Sequence, residues 1–281
     1  MKYLIVKGAQ GFGDRLEVLA MCIHFAALNN LQNYVDWTDP VWSHGSDSFY
    51  DYFDITNIPK LNSLDDIPLD ATYYPPAWGG KIKEHCTSLG GQEYLSGVLT
   101  TQKFTEDVIV VSSVQSRSIY PSYAKLPHYL KLIHPKILDE VRRRNLQYSL
   151  VNCLGVHVRG TDRIGRQGRE IPVQYLMIRA GNYTNRGQKP MVLISDDKTS
   201  IEVFRKYYNN APVLSSLSVQ NTQSVGNHLA SKESLNISKT EMNIDMLIDF
   251  FTLTCCQRII TNIKDSRFAQ MADRLKRIFI T

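Results

Sequence analysis

Lys2-Tyr3-Leu4-Ile5-Val6-Lys7-Gly8-Ala9-Gln10-Gly11-Phe12-Gly13-Asp14-Arg15-Leu16 opens the chain, and its reading sets the fold class. Lys2–Val6 is a short apolar run of strand formers. Gly8, Gly11 and Gly13 punctuate a turn, with Asp14 placed to cap the helix that comes next. From Leu16 onward, Leu19, Ala20, Ile23, Ala26 and Ala27 recur at helical spacing to about Leu28. Tyr34-Val35-Asp36-Trp37 then reads as a second strand. Strand, glycine turn, helix, strand is the start of an α/β domain with a parallel sheet.

The rhythm returns in the second half. Asn152–Arg159 reads as a strand, Pro172–Asn182 as a helix, Met191–Ser195 as a strand and Ile201–Tyr208 as a helix with Phe204 and Tyr207 facing inward. Ile244–Cys255 is helical, Arg258–Thr261 a strand and Ser266–Phe279 a closing helix carrying Phe268, Met271, Ala272, Leu275 and Phe279 on one face. Between the halves, Asp107–Ser112 reads as a buried strand. His134–Tyr148 reads as a helix whose Arg142-Arg143-Arg144 run suits a solvated face. Residues 39–105 are rich in Asp, Pro, Gly and aromatics, and Pro68, Pro75 and Pro76 argue against central strands there. Ser215–Glu241 is long, polar and without period, which suits a lid over a ligand or a mobile insertion. The expected organisation is an α/β chain of two domains, 1–148 and 149–281.

Composition narrows the classes. Hydrophobic residues at 43% and charged ones at 21% exclude a disordered or collagen-like chain. No run approaches the roughly 18–20 unbroken apolar residues of a membrane helix, and the opening strand is too short for a signal-peptide core. Five cysteines, without metal-like C-x-x-C spacing, suit a reducing, cytoplasmic compartment. A net charge of +5 is too small to demand nucleic acid and suits an anionic small ligand.

The chemistry gathers where strands end. Gly155-Val156-His157-Val158-Arg159-Gly160-Thr161-Asp162 places His157 and Arg159 on one face of a strand at its C-terminal end. Arg159 offers a planar fork that matches phosphate oxygens, and Asp162 is placed to orient either side chain. The plainer reading is a strand-end ion pair. Ser195-Asp196-Asp197 closes another strand with adjacent carboxylates, which cap the next helix, hold Mg²⁺ or bond a sugar or base. Asp249, with Asp245 one turn earlier, lies on a largely apolar helix where an unpaired carboxylate is costly. Lys264-Asp265-Ser266 opens the last helix, where unpaired amides attract anions. Tyr73, Tyr74 and Trp78 form either a stacking platform for a sugar or a packed Pro-rich loop.

With these residues in view, Gly155–Met177 resembles the first motif of the α-1,6-fucosyltransferases, including the bacterial nodulation fucosyltransferases. Ser195–Asp197, Asp249–Ala272 and the glycine-rich opening are similar to the wider group that includes protein O-fucosyltransferases. The resemblance implies a GT-B fold, two Rossmann-like domains facing a central cleft. It implies an inverting transfer that needs no metal or other cofactor, from a nucleotide-sugar donor, most simply GDP-fucose, to a hydroxyl of a glycan acceptor. In this chain Arg159 matches the arginine on the donor pyrophosphate, and His157 the histidine near the nucleotide. Asp162, Asp196, Asp197 and Asp249 match the acidic positions, with Asp249 expected near the base. Gly11, Phe12, Gly13 and Ser195 complete the expected donor side, together with Lys264, Asp265 and Ser266. The motif's second arginine is Gly160 here, its glutamate base is Gln167, and a phosphate-binding serine pair falls at Lys264-Asp265. Asp162, Glu170 or Asp14 then remain as carboxylates for the base, and Lys264 as a replacement charge.

Two other readings stay open. The fold and reaction suit another donor such as UDP-xylose, and loss of the base suits a non-catalytic nucleotide-sugar-binding protein. The opening with Asp36 is also similar to a dinucleotide-binding fingerprint, although Gly8-x-x-Gly11-x-Gly13 departs from G-x-G-x-x-G. The absence of an anchor suits a soluble bacterial or viral enzyme.

Overall fold

A computed structural model describes residues 2–42, 47–90, 104–113, 123–160, 170–185, 188–216 and 237–276. The chain divides into two compact units, Met1–His134 and Pro135–Thr281.

In the first unit, β1 (Tyr3–Lys7) runs into α1 (Phe12–Asn29) and then β2 (Gln32–Asp36), as the opening sequence predicts. Strands β3 (Phe53–Ile55), β4 (Tyr73–Tyr74) and β5 (Val108–Val111) come next, with short helices α2 (Cys86–Leu89) and α3 (Leu126–Tyr129) and strand β6 (Leu130–Leu132). The main sheet has the order β2-β1-β5-β4, every pair parallel, and β3 pairs antiparallel with β6 apart from it. Strand β1 is buried along its whole length, which is why its apolar run is unbroken rather than alternating. Tyr3, Ile5, Val108 and Val110 pack on Leu61, Ile67, Trp78 and Ile82. Trp78 is thus a core residue, and the plainer reading of the Tyr73–Trp78 loop holds. The prolines confine β4 to the sheet edge.

The second unit begins earlier than the expected division after residue 148. Helix α4 (Pro135–Tyr148) buries Ile137, Val141 and Arg144, one stripe at i, i+4 and i+7. Beyond it come β7 (Leu154–Val158), α5 (Val173–Tyr183), β8 (Met191–Ser195), α6 (Lys198–Tyr207), α7 (Lys239–Cys255), β9 (Arg258–Thr261) and α8 (Arg267–Arg274). The sheet order is β8-β7-β9, all parallel. Leu154, Val156 and Val158 pack with Leu176, Met177 and Ala180 of α5 and Ile201 and Phe204 of α6. Gly155 points the other way: a Cβ there would stand 3.0 Å from Cys256 Sγ and 3.1 Å from Leu253 Cδ2, at the end of α7. Glycine lets α7 approach the central strand, so helices cover both faces.

Several details differ from the sequence reading. Tyr207 is 50% exposed rather than inward, because α6 buries only the Ser200, Ile201 and Phe204 stripe. Helix α7 starts at Lys239, since Ser238 accepts from Glu241 N while its own N–H donates to the Glu241 carboxylate. Residues 217–236 of the expected lid lie outside the described residues, and so does the end of the closing helix from residue 277.

The largest difference is Arg144, which is 7% exposed rather than solvated. Its guanidinium donates to Glu140 at 2.8 Å, Leu214 O at 2.6 Å, Ser216 Oγ at 2.7 Å and Asp249 Oδ1 at 3.2 Å. Asp249, 2% exposed, also accepts from Ser216 N through both oxygens, at 2.9 and 3.0 Å. The costly buried carboxylate therefore has its partner inside the unit. Removing one side of a buried pair strands the other charge, so Arg144→Ala is expected to lower unfolding free energy by about 3–5 kcal/mol. Adding Asp249→Asn to that variant should restore part of the loss; urea denaturation of both checks this.

Candidate active site at the carboxyl edge of the second sheet

In an open parallel sheet, ligands bind outside the carboxyl ends of strands where successive connections leave in opposite directions. The order β8-β7-β9 puts that point at the end of the central strand β7, flanked by its two neighbours. Arg159 and Gly160 leave β7 there, Asp196 and Asp197 leave β8, and Asn262 and Ile263 leave β9.

Asn262 ties this edge together. Its Oδ1 accepts from Arg159 N at 2.9 Å and its Nδ2 donates to Arg159 O at 2.9 Å. Its own carbonyl accepts from Ile171 N at 2.7 Å, which draws Glu170 into a bridge with Ile263. On the other side of β7, Gly160 N donates to Asp196 Oδ1 at 2.7 Å. Asp197 caps α6, accepting from Ser200 N at 2.7 Å and Ser200 Oγ at 2.5 Å. Ser195 N donates to Ser215 Oγ at 2.6 Å, bringing the segment after Val213 onto the same edge.

His157 sits just beneath, 7% exposed, its ring stacked on Phe268 with centroids 5.3 Å apart and Nδ1 3.1 Å from Thr261 Oγ1. Burial, with the Arg159 charge adding to it, pushes its pKa down to about 3. The neutral imidazole thus adds no second positive charge beside the Arg159 guanidinium. Arg159 is half-buried, Lys264 and Asp265 are exposed, and buried Ser266 caps α8.

Of the residues picked from sequence, Arg159, His157, Ser195, Asp196, Asp197, Glu170, Lys264, Asp265 and Ser266 thus belong to this edge or its first turns. Asp162 and Gln167 lie outside the described residues. Asp249 is held by Arg144 and Ser216. Gly11, Phe12, Gly13 and Asp14 belong to the first unit, where Gly11 precedes α1 with open space at its Cα and Asp14 is half-buried in the first turn. The Phe12 ring is buried against Trp37, Trp42 and Phe53, so it offers a ligand no face. Asn262, Thr261 and Ser215 escaped the sequence reading; the one available signal was a polar residue directly after a buried strand.

At Gly8 the glycine turn of the first unit is filled by the chain itself. Arg15 and Asp39 form a two-pronged pair, 2.7 Å on each prong, and a Cβ on Gly8 would stand 1.5 Å from Arg15 Nη1. Lys7 pairs with Asp36 at 2.5 Å, both buried. The carboxylate that a dinucleotide ribose would need is therefore already bound.

Solved structures share the fold of this chain. The fucosyltransferase NodZ from Bradyrhizobium superposes with a TM-score of 0.68, covering 97% of this chain and 93% of that one at 15% identity. NodZ α-1,6-fucosyltransferase soaked with GDP-fucose gives 0.66, with 98% and 93% covered at 16% identity. The chain has the GT-B fold of these fucosyltransferases. POFUT1 in complex with GDP-fucose shares that fold at a TM-score of 0.56, with 99% and 95% covered at 10% identity. No protein-family model and no curated protein sequence matches the chain. Among the described residues of this GT-B chain, no group of three His, Cys, Asp or Glu side chains could hold a metal ion. No described helix is long and apolar enough to cross a membrane.

The edge makes two outcomes measurable. The His157 imidazole should stay neutral from pH 8 to pH 5 by NMR titration. Its folded pKa lies below the unfolded value of about 6.5, so the stability it contributes is complete above that pH and is lost as pH falls towards 3. His157→Gln should therefore flatten the rise of unfolding free energy across that window. Asn262→Ala removes both hydrogen bonds to the Arg159 backbone and should cost about 1–3 kcal/mol in denaturant melts.

Proposed function

We propose that this chain is an inverting, metal-independent glycosyltransferase that moves a sugar from a nucleotide-diphosphate donor, GDP-fucose first among them, to a hydroxyl of a glycan acceptor. One observation carries the reading: Arg159 leaves the central strand at the carboxyl edge with its backbone N–H and C=O both held by Asn262. In a single displacement, charge grows on the leaving β-phosphate. A fixed guanidinium stabilises that charge without reorganising, which lowers the transition state more than the ground state. His157, held neutral, is suited to hydrogen bonding near the nucleotide rather than to charge pairing. Lys264, exposed directly after the edge, replaces the positive charge that the resembling motif carries at Gly160. No side chain fits there, because a Cβ on Gly160 would stand 2.2 Å from Asp197 Cβ.

A carboxylate takes the acceptor proton in this scheme. Glu170 is the candidate tied to the edge; Asp162 and Asp14 are the others. The NodZ and POFUT1 structures solved with GDP and GDP-fucose support guanosine in the donor. We place the reaction in glycan biosynthesis, in the cytoplasm, in keeping with five free, buried cysteines.

Thermal shift with GDP, UDP and dTDP tests the donor. A nucleotide at a hundredfold its Kd adds about 2.7 kcal/mol of stability, and GDP is expected to give the largest shift. A larger shift with UDP would transfer the reading to another donor, and no shift with any of the three would end it. Arg159→Ala should fold normally and lose turnover by about a hundredfold or more, roughly 3 kcal/mol of transition-state stabilisation. Glu170→Gln should lower turnover by about 10²–10⁴ if Glu170 is the base; full activity would pass the role to Asp162 or Asp14.

A further inference from the structure

The amino edge of the second sheet, opposite the proposed donor site, carries two adjoining cavities. One of about 400 Å³ is lined by Tyr148, Tyr207, Tyr208, Asn209 and Asn210. The other, of about 620 Å³, is lined by Asn152, Tyr183, Thr184, Gln257 and Arg258. Lys189 and Pro190 line both, so the two lie side by side as a depression in two parts. Five-residue strands at about 3.3 Å per residue separate it from the carboxyl edge by roughly 17 Å.

The ligand class emerges from the charge balance and the lining. Helices α4, α5, α6, α7 and α8 end beside these cavities, at Tyr148, Tyr183, Tyr207, Cys255 and Arg274. Each helix C-terminus carries about half a negative charge, so together they offset the cations Lys189 and Arg258. The third cation, Lys276, is paired with Asp273 at 2.6 Å. The depression is therefore close to neutral, and a phosphate-bearing ligand gains little there. What it offers instead is ring faces alternating with amides. Tyr207 is 50% exposed and Asn209 and Asn210 are exposed, whereas one face of the Tyr183 ring is covered by Arg258 at 4.0 Å. Tyrosine rings cover the apolar C–H faces of a pyranose, and side-chain amides both donate to and accept from its hydroxyls.

We infer that this depression binds a neutral, linear oligosaccharide, as a second glycan site remote from the carboxyl edge. The inference deepens the glycosyltransferase reading, since a glycan held here would raise the local concentration of acceptor units near the reacting edge. Its test is separate from that reading. Saturation-transfer NMR on the full chain with cello-, malto- and chito-oligosaccharides should show transfer from aromatic protons to at least one of the three sugars. Tyr207→Ala, an exposed position whose loss leaves the core intact, should weaken that binding tenfold or more, and Asn209→Ala should weaken it as well. Arg159→Ala and saturating GDP should leave it unchanged. Absence of transfer to all three sugars, or binding untouched by Tyr207→Ala, overturns the site. Binding displaced by GDP or lost in Arg159→Ala also overturns it, by moving the glycan to the carboxyl edge, whereas failure of GDP itself to bind strikes only the donor assignment.

Discussion

The two hydrogen bonds between the Asn262 amide and the Arg159 backbone hold the carboxyl edge of the second sheet in register beyond the last strand pair. Strands β7 and β9 stop pairing at His157 and Thr261, while β7 stays paired with β8 through Val158, so beyond that point the β9 side of β7 has no strand partner. A buried side-chain amide, with one donor and one acceptor facing a single residue, replaces the missing rung. Because Asn262 also accepts from Ile171, three separate stretches of chain meet at one 1%-exposed residue. The direction in which Arg159 leaves the strand, and with it the proposed chemistry, depends on that meeting.

Buried ion pairs explain which acidic residues remain to act on a ligand. Lys7–Asp36, Arg15–Asp39 and Arg144–Asp249 are each almost wholly inside. Such pairs add little net stability over well-packed apolar residues, but breaking one is expensive, so they act mainly to fix positions. Arg144 and Asp249 pin Leu214–Ser216 next to the end of β8, while Arg15 and Asp39 occupy the space above Gly8. Two carboxylates that look like ligand positions in the sequence, Asp36 after the glycine turn and Asp249 on an apolar helix, are each held by a buried cation. Among the described residues, the carboxylates at the edge are Glu170, Asp196, Asp197 and Asp265, and Asp197 is committed to capping α6.

The likeness to NodZ and POFUT1 at 10–16% identity rests on shape rather than on shared residues. Gly160 is constrained by its neighbour across the edge. Asp197 lies so close that any side chain would displace it, and the α6 cap with it. Whether a charge stands at that position is thus linked to how the next strand ends.

By itself the sequence determined two α/β units, the strand and helix order, and the strand-end motif around Arg159. Apolar periodicity and glycine turns act over a few residues and can be read from a single line of text. Tertiary structure alone decided the partners of charged groups and the place where the first unit ends. Arg144 meets Asp249 across 105 positions and Arg159 meets Asn262 across 103, and no local pattern encodes a contact that distant. The stripe Ile137, Val141, Arg144 was visible as spacing. Only the approach of α7 turned its arginine from a solvated charge into a buried one, because a guanidinium leaves water only when a carboxylate and carbonyls stand ready to receive it.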